Sequence, residues 1–213
     1  IGPNTNVIGA SAFNKCGNLK DVTFSEGVKT IEDYAFKQCY KLESVNLPNS
    51  LNCVGYDIFH YCISLKEIQI GSNVLDIPYK QCFGYGCNNL KKIIVSPSHP
   101  FLKTVDGALY DRFKKTLIRV PPSLKNQNIK IPGWVETLAD YCFDNVDFNK
   151  LTIKTPHLNN IENCNLINVQ KIFCIPNSDV EKEFKLLEVA EIRSDKSTTE
   201  DFLNELSNES KNK

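Results

Sequence analysis

Nine cysteines and three histidines are the side chains of this 213-residue chain best equipped for chemistry, as nucleophiles, metal ligands or proton carriers. A thiol hydrolase needs a cysteine activated by a nearby base, and a structural zinc site needs close pairs such as Cys-x-x-Cys. Neither pattern occurs. His60, His99 and His157 lie far apart, and His60 reads as a solvated surface residue. Gly84-Tyr85-Gly86 is an isolated glycine pair rather than a phosphate loop, and Asp106-Gly107 reads as turn chemistry. The cysteines instead follow a period. Cys16, Cys39 and Cys62 stand 23 residues apart, and Cys87 follows after 25.

That period belongs to whole segments. Ile8 to Leu19, Ile31 to Leu42 and Val54 to Leu65 repeat one phrase, with Phe13, Phe36 and Phe59 at the same interval as the cysteines. Each phrase runs on into Val22-Thr-Phe24, Val45-Asn-Leu47 or Ile68-Gln-Ile70. A fixed period within about 20–29 residues, carrying Leu-x-x-Val-x-Leu, marks a leucine-rich-repeat solenoid. The segment Leu42 to Leu47 is predicted to hold a short strand with Val45 and Leu47 inward and Ser44 and Asn46 outward, because strand side chains alternate faces. Pro48 follows it, and Ile8, Ile31 and Val54 enter the core from the opposite side. A short helical turn comes next, Asp33 to Cys39 in the second unit, where Ser11, Asp33 or Asp57 can cap exposed N–H groups. No unit buries its apolar face alone, so stacked neighbours make the core.

Later units deviate. In the fourth, Ile77 holds the place of Ile31 and Cys82-Phe83 that of Ala35-Phe36, with two inserted residues around Lys80-Gln81 and Gly84 to Gly86. From Ser96 to Pro122 the register breaks, and Val105 to Tyr110 and Thr116 to Val120 suggest an antiparallel hairpin, with Phe113 an odd turn residue. Val135 to Phe143 then matches Val28 to Phe36 position for position. Two degraded strands follow, Leu151-Thr-Ile153 and Ile172 to Ile175. Val180 to Leu187 reads as an amphipathic helix covering the open end of the stack. The expected fold class is therefore an α/β repeat solenoid over residues 1–193, with an irregular hairpin unit at about 96–122. Residues 194–213 are expected to hold a short helix, Thr198 to Leu206, and a polar tail carrying the sequon Asn208-Glu-Ser210. The chain is inside a repeat by Val7-Ile8 with no polar cap before it. This predicts further units upstream, with Ile8, Phe13 and Cys16 the least protected core residues.

Within this frame the thiols read as packing. Cys16, Cys39, Cys62 and Cys87 share an inward column, Cys82 and Cys142 replace Ala35, Cys164 replaces Phe36, and Cys174 replaces Leu47. A free cysteine packs as a small hydrophobe; disulfides and a metal site are the lesser alternatives, since the count is odd and column side chains run parallel. Cys53 is the exception, expected to be exposed and the most reactive.

The phrase Ile-Gly-x-x-Ala-Phe-x-x-Cys-x-x-Leu-x-x-Val-x-Leu-Pro resembles the BspA-like subclass of leucine-rich repeats. Val105-Asp-Gly-Ala-Leu-Tyr110 followed by Lys115-Thr-Leu-Ile118 is similar to that family's irregular insert. Ile172-Phe-Cys-Ile-Pro176 with Val180-Glu-Lys-Glu-Phe184 is similar to its last strand and helix. The resemblance implies a surface or secreted repeat protein of mucosal bacteria or protist parasites, adhering to host matrix or cells. It brings no catalytic residues and no cofactor.

Composition agrees with a binding protein. Lys and Arg number 25, as do Asp and Glu, for zero formal charge. That argues against tracking phosphates along nucleic acid and against attraction to an anionic membrane. No run approaches the length needed to span a bilayer. A non-catalytic module contacting a protein ligand is the leading reading, through the outward strand positions Asp21, Thr23, Ser44, Asn46, Glu67, Gln69, Lys92 and Ile94. The alternative is an intracellular scaffold with reduced thiols.

Overall fold

A chain that alternates Val45, Asn46 and Leu47 must bury every second side chain, and one strand this short is stable only between neighbours. The computed structural model describes residues 1–75, 77–78, 84–124, 128–147, 150–166, 171–187 and 191–194. In chain order its elements are β1 (Val7–Ile8), β2 (Thr30–Ile31), β3 (Ser44–Asn46), β4 (Cys53–Val54), β5 (Glu67–Ile70), β6 (Lys92–Val95), β7 (Leu102–Val105), β8 (Ala108–Asp111), β9 (Thr116–Arg119), β10 (Asn128–Ile131), β11 (Thr137–Leu138), β12 (Lys150–Ile153), β13 (Lys171–Cys174), α1 (Asp179–Leu187) and β14 (Glu191–Ser194). The architecture is a leucine-rich-repeat solenoid of parallel rungs.

Two sheets enclose the first core. β3, β5 and β6 pair in parallel with Val45, Ile68 and Ile93 aligned and buried. Ile8, Ile31 and Val54 enter from the other side as expected, and they do so in a second parallel sheet of β1, β2 and β4. Sequence alternation does not reveal that second sheet, because its strands are two residues long.

The turn segment departs from a helix. Ala35, Lys37 and Cys39 donate to carbonyls three residues back, at 3.3, 3.0 and 3.3 Å, but Tyr34 and Gln38 have φ of 57° and 60°. Left-handed residues interrupt helical propagation and cost about 1–2 kcal/mol each. The gain lies between units: Tyr34, Phe36 and Gln38 donate to the carbonyls of Tyr56, Ile58 and His60 at 2.9, 2.9 and 2.7 Å. Ser11 and Lys15, Asp57 and Tyr61, and Tyr141 and Asn145 repeat the left-handed pair. Ser11 and Asp57 therefore cap no helix. Asp33 caps its neighbour instead, its Oδ1 accepting from Tyr56 N–H at 2.8 Å.

The hairpin unit is three-stranded. β7 and β8 join through Asp106-Gly107, both at positive φ, 49° and 83°, the conformation an Asp-Gly hairpin turn requires. β8 and β9 form the expected hairpin, and β9 pairs in parallel with β11. This blade divides the interior: Leu109 and Ile118 pack into the first core, while Ala108, Tyr110 and Leu117 pack into a second. The parallel sheet resumes as β10, β12, β13 and β14. Ser178 and Glu181 start α1, with Ser178 Oγ accepting from Glu181 N–H at 3.1 Å and Glu181 Oε2 from Asn177 N–H at 2.6 Å, a variant of the capping box. Val180 and Phe184 are buried in the second core. The helix is not the last element, since β14 extends the sheet beyond β13.

Cys39, Cys62, Cys87, Cys142, Cys164 and Cys174 are buried and Cys53 is exposed, as expected. Cys16 is a correction: it is exposed, because its column has a neighbour on one side only among the described residues. Cys164 offers its carbonyl to Phe143 N–H as Ile58 does to Phe36, which gives it the place of Ala35 rather than Phe36. Cys82-Phe83, Lys80-Gln81 and the tail after Ser194 lie outside the described residues.

Candidate binding surface

Six of the eight sequence-predicted surface residues fall in two straight columns. Register aligns Ser44, Glu67 and Lys92 in one and Asn46, Gln69 and Ile94 in the other. Ser44, Asn46, Gln69 and Lys92 are exposed, Glu67 and Ile94 half-buried. Asp21 and Thr23 are exposed in the preceding unit but outside any strand. Lys92 Nζ lies 3.8 Å from Glu67 Oε2, a solvent-exposed pair of little energetic weight. The second column opens on a cleft of about 320 Å³ lined by Asn46, Gln69, Ile94 and Val95 together with the loop residues 47–49, 71 and 96–97. The loops are a contribution that strand periodicity could not foretell.

On the turn edge the fold builds an aromatic ridge. Rings of His60 and Tyr61 lie 4.6 Å apart, Tyr61 and Tyr85 5.6 Å, and Tyr85 and Tyr141 5.0 Å. Gly86 makes room for it, since a Cβ there would lie 2.5 Å from the Tyr61 ring. His60 is thus no free surface histidine. It is half-buried, with Nδ1 3.1 Å from Asp57 Oδ2, and burial raises the Asp57 carboxyl above its usual range. Tyr85 meets Tyr141 because the hairpin unit supplies no turn segment between them. Arg119 fills that gap, fully buried, donating to Tyr141 O at 2.9 Å and lying 3.9 Å from Asp144. Asp144 in turn accepts from Gly86 N–H at 3.1 Å and from Asn165 Nδ2 at 3.0 Å, tying three units together.

The remaining reactive groups are occupied with packing. Cys39, Cys62 and Cys87 each donate to a phenylalanine carbonyl one unit back, at 3.2, 3.1 and 3.1 Å. The hydrogen bond with Cys39 and burial push the Cys62 thiol far up, and the same bond draws Cys39 down. Burial pushes Cys174 up to about 11. The raised thiols of Cys62 and Cys174 are poor nucleophiles near neutral pH. His99 Nδ1 accepts from the Phe101 and Leu102 N–H groups at 3.2 and 2.9 Å, so its proton sits on Nε2, and burial lowers its pKa. His157 pairs with Asp179 at 2.7 Å on the surface. Among the described residues no three His, Cys, Asp or Glu side chains gather into a metal-binding group, and no helix is long and apolar enough to cross a membrane.

The model of the BspA type leucine-rich repeat region matches residues 6–126 and 122–182, in six copies. No match was found among curated proteins. Among solved structures, a leucine-rich repeat protein from Eubacterium ventriosum is 20% identical with a TM-score of 0.58, over 81% of this chain and 58% of its own. The pneumococcal vaccine antigen PcpA is 23% identical with a TM-score of 0.47, over 80% and 34%. A leucine rich cell surface protein from Faecalibacterium prausnitzii is 17% identical with a TM-score of 0.47, over 92% and 72%. The chain spans 34% of the length of the pneumococcal antigen and 58% of the Eubacterium protein. The Eubacterium likeness bears on the fold.

Proposed function

This chain belongs to the BspA-type leucine-rich repeat family, and on that premise we propose that it is a non-catalytic adhesion module at the cell surface or secreted. Its ligand is a protein of the host matrix or of a neighbouring cell. The ligand lies against the columns Ser44, Glu67, Lys92 and Asn46, Gln69, Ile94, with Asp21 and Thr23 at the margin. The observation that supports this is the register, which lines up outward side chains of three units beside an open cleft. A flat array of aligned side chains suits a broad partner better than a small molecule. Surface location is supported by the family.

The test is capture of matrix proteins and cell-surface extract on the immobilised chain. A captured protein should be lost with Gln69→Arg and kept with His157→Ala, which lies away from the columns. No captured protein, or capture indifferent to Gln69→Arg, would overturn the reading.

One observation favours an intracellular scaffold instead: Cys16 and Cys53 are exposed and free, and such thiols persist best in reducing compartments. Antibody labelling of intact against permeabilised cells separates the two locations.

A further inference from the structure

The hairpin turn carries an unexplained side chain. Phe113 is 79% exposed, more than any other large apolar residue among those described. Its ring lies 5.6 Å from that of Phe101, and Phe101 forms one wall of a cleft of about 370 Å³. Lys103 and Arg112 line the same cleft, both exposed. A volume near 400 Å³ is at the small end for ligand clefts, about 300–1,000 Å³, enough for a few side chains.

The cations of this cleft are unmatched. Elsewhere lysines meet acids of neighbouring units: Lys66 with Glu43 at 2.7 Å, Lys92 with Glu67 at 3.8 Å. Lys103 and Arg112 have no carboxylate partner among the described residues. Arg112 is held 5.4 Å over the Trp134 ring, which fixes its position without cancelling its charge. Asp111 is next in the chain, but it is buried and its Oδ1 accepts from Lys114 N–H at 2.9 Å.

The backbone adds a third feature. Arg112 N–H donates to Phe101 O at 3.0 Å, so positions 101, 103 and 105 face β8 and Thr104 turns its N–H and C=O the other way. Thr104 lines the cleft, and neither group has a partner among the described residues.

We propose that this cleft docks an extended acidic segment of a partner protein, with carboxylates against Lys103 and Arg112 and an apolar side chain against Phe101 and Phe113. A peptide supplies all three complements: anionic charge, an apolar side chain, and backbone groups for Thr104. A sulfated polysaccharide supplies charge and hydrogen-bonding groups but no apolar side chain for Phe101 and Phe113. The cleft shares Val95, Ser96 and Pro97 with the one beside Asn46 and Gln69, so one partner can occupy both. The proposal rests on the reading of the chain as a protein-binding module and names the chemistry of the partner.

Fluorescence anisotropy of the whole chain tests it, with a labelled ten-residue peptide alternating glutamate and leucine, its glutamine counterpart, and heparin as probes. The glutamate peptide should bind and the glutamine peptide should bind several-fold more weakly. Lys103→Gln with Arg112→Gln should weaken the glutamate peptide roughly three- to tenfold and flatten its dependence on salt. Phe113→Ser, a change at a solvent-exposed turn, should weaken it without lowering Tm. Equal binding of both peptides, an unaffected double variant, no binding of the glutamate peptide, or binding of heparin alone would overturn the proposal. Peptide binding without capture of any protein in the pull-down would sink the sheet-face reading and leave the cleft standing. Capture without peptide binding would do the reverse.

Discussion

The first four units and the part from the hairpin onward solve the same packing problem in different ways. Before the hairpin, identical positions stack on one another: Phe36 lies 5.0 Å from Phe13 and 5.9 Å from Phe59, and the cysteine thiols repeat one hydrogen bond per unit. Polar side chains there stay at the margin and serve the next unit, as Glu26 does for Asn49 and Ser50 N–H at 3.1 and 2.9 Å. From His99 onward the rule changes. Every buried polar or charged side chain among the described residues lies there, including Asp111, Arg119, Asp144 and Glu181. Strict repetition supplies each apolar group with an identical neighbour. A break in repetition leaves unlike surfaces face to face, and buried polar groups join them where they find partners.

The contrast is sharpest in its energetics, and mutation can break it. Phe36→Ala should cost about 4 kcal/mol in chemical denaturation, since a ring flanked on both sides leaves a cavity that neighbours cannot fill. A loss below about 1 kcal/mol would mean that the aromatic column does not carry the first core. In the second region, Asp144→Ala should cost about 3 kcal/mol by leaving Arg119 buried without its counter-ion. Asp144→Leu combined with Arg119→Met should recover only the share owed to the unpaired charge, since Gly86 N–H and Asn165 Nδ2 still lose their acceptor. If the double variant is no better than the single, the pair is not the element that joins the halves.

Smaller effects test the thiol column and the margin of the hairpin. Cys39→Ser should cost about 1–2 kcal/mol, at the lower end because Phe13 O remains to accept from the hydroxyl. Thiol labelling of the folded chain, read by mass spectrometry, should reach Cys16 and Cys53 first and the buried column slowly.

The smallest effect is on pH. Burial lowers the His99 pKa from its ordinary value near 6.5, so its contribution is fully present above that value. It is lost as pH falls below 6.5 and through the lower folded value. His99→Asn keeps an acceptor for Phe101 and Leu102 N–H but cannot titrate in this range. It should remove the slope of stability between pH 6.5 and 5, and an unchanged slope would assign the effect to other groups.

Much of this was legible beforehand because strand alternation and a 23-residue period are strong local signals. They placed β3, β5, β12 and β13, the β8–β9 hairpin, α1 and six buried cysteines. Cys16 joins the predicted column but is exposed, because a period says which column a residue joins and not how far its neighbours cover it. The spacing of the turn segment fits a helix in the sequence; the left-handed residues that reroute its N–H groups carry no common side-chain signature. β7 and β14 are four-residue runs that declare themselves only through their partners. The outward columns were found from alternation, whereas the cleft beside them depends on loops. The aromatic ridge has no sequence signal, because His60, Tyr61, Tyr85 and Tyr141 follow no shared period.

By itself the sequence determined which side chains point inward, how units stack, and that a hairpin interrupts them, because each depends on neighbours within one or two periods. Only the tertiary structure decided what meets across the interruption. Gly86 and Asp144 are hydrogen-bonded across 58 residues, and Tyr85 touches Tyr141, because the inserted blade removes one turn segment and brings the next unit up against the fourth. Arg119 reads as a strand residue in the sequence and becomes a buried charge in the fold. The path of an insert is set by how its two faces pack against two different cores, and that is a property of the assembled molecule.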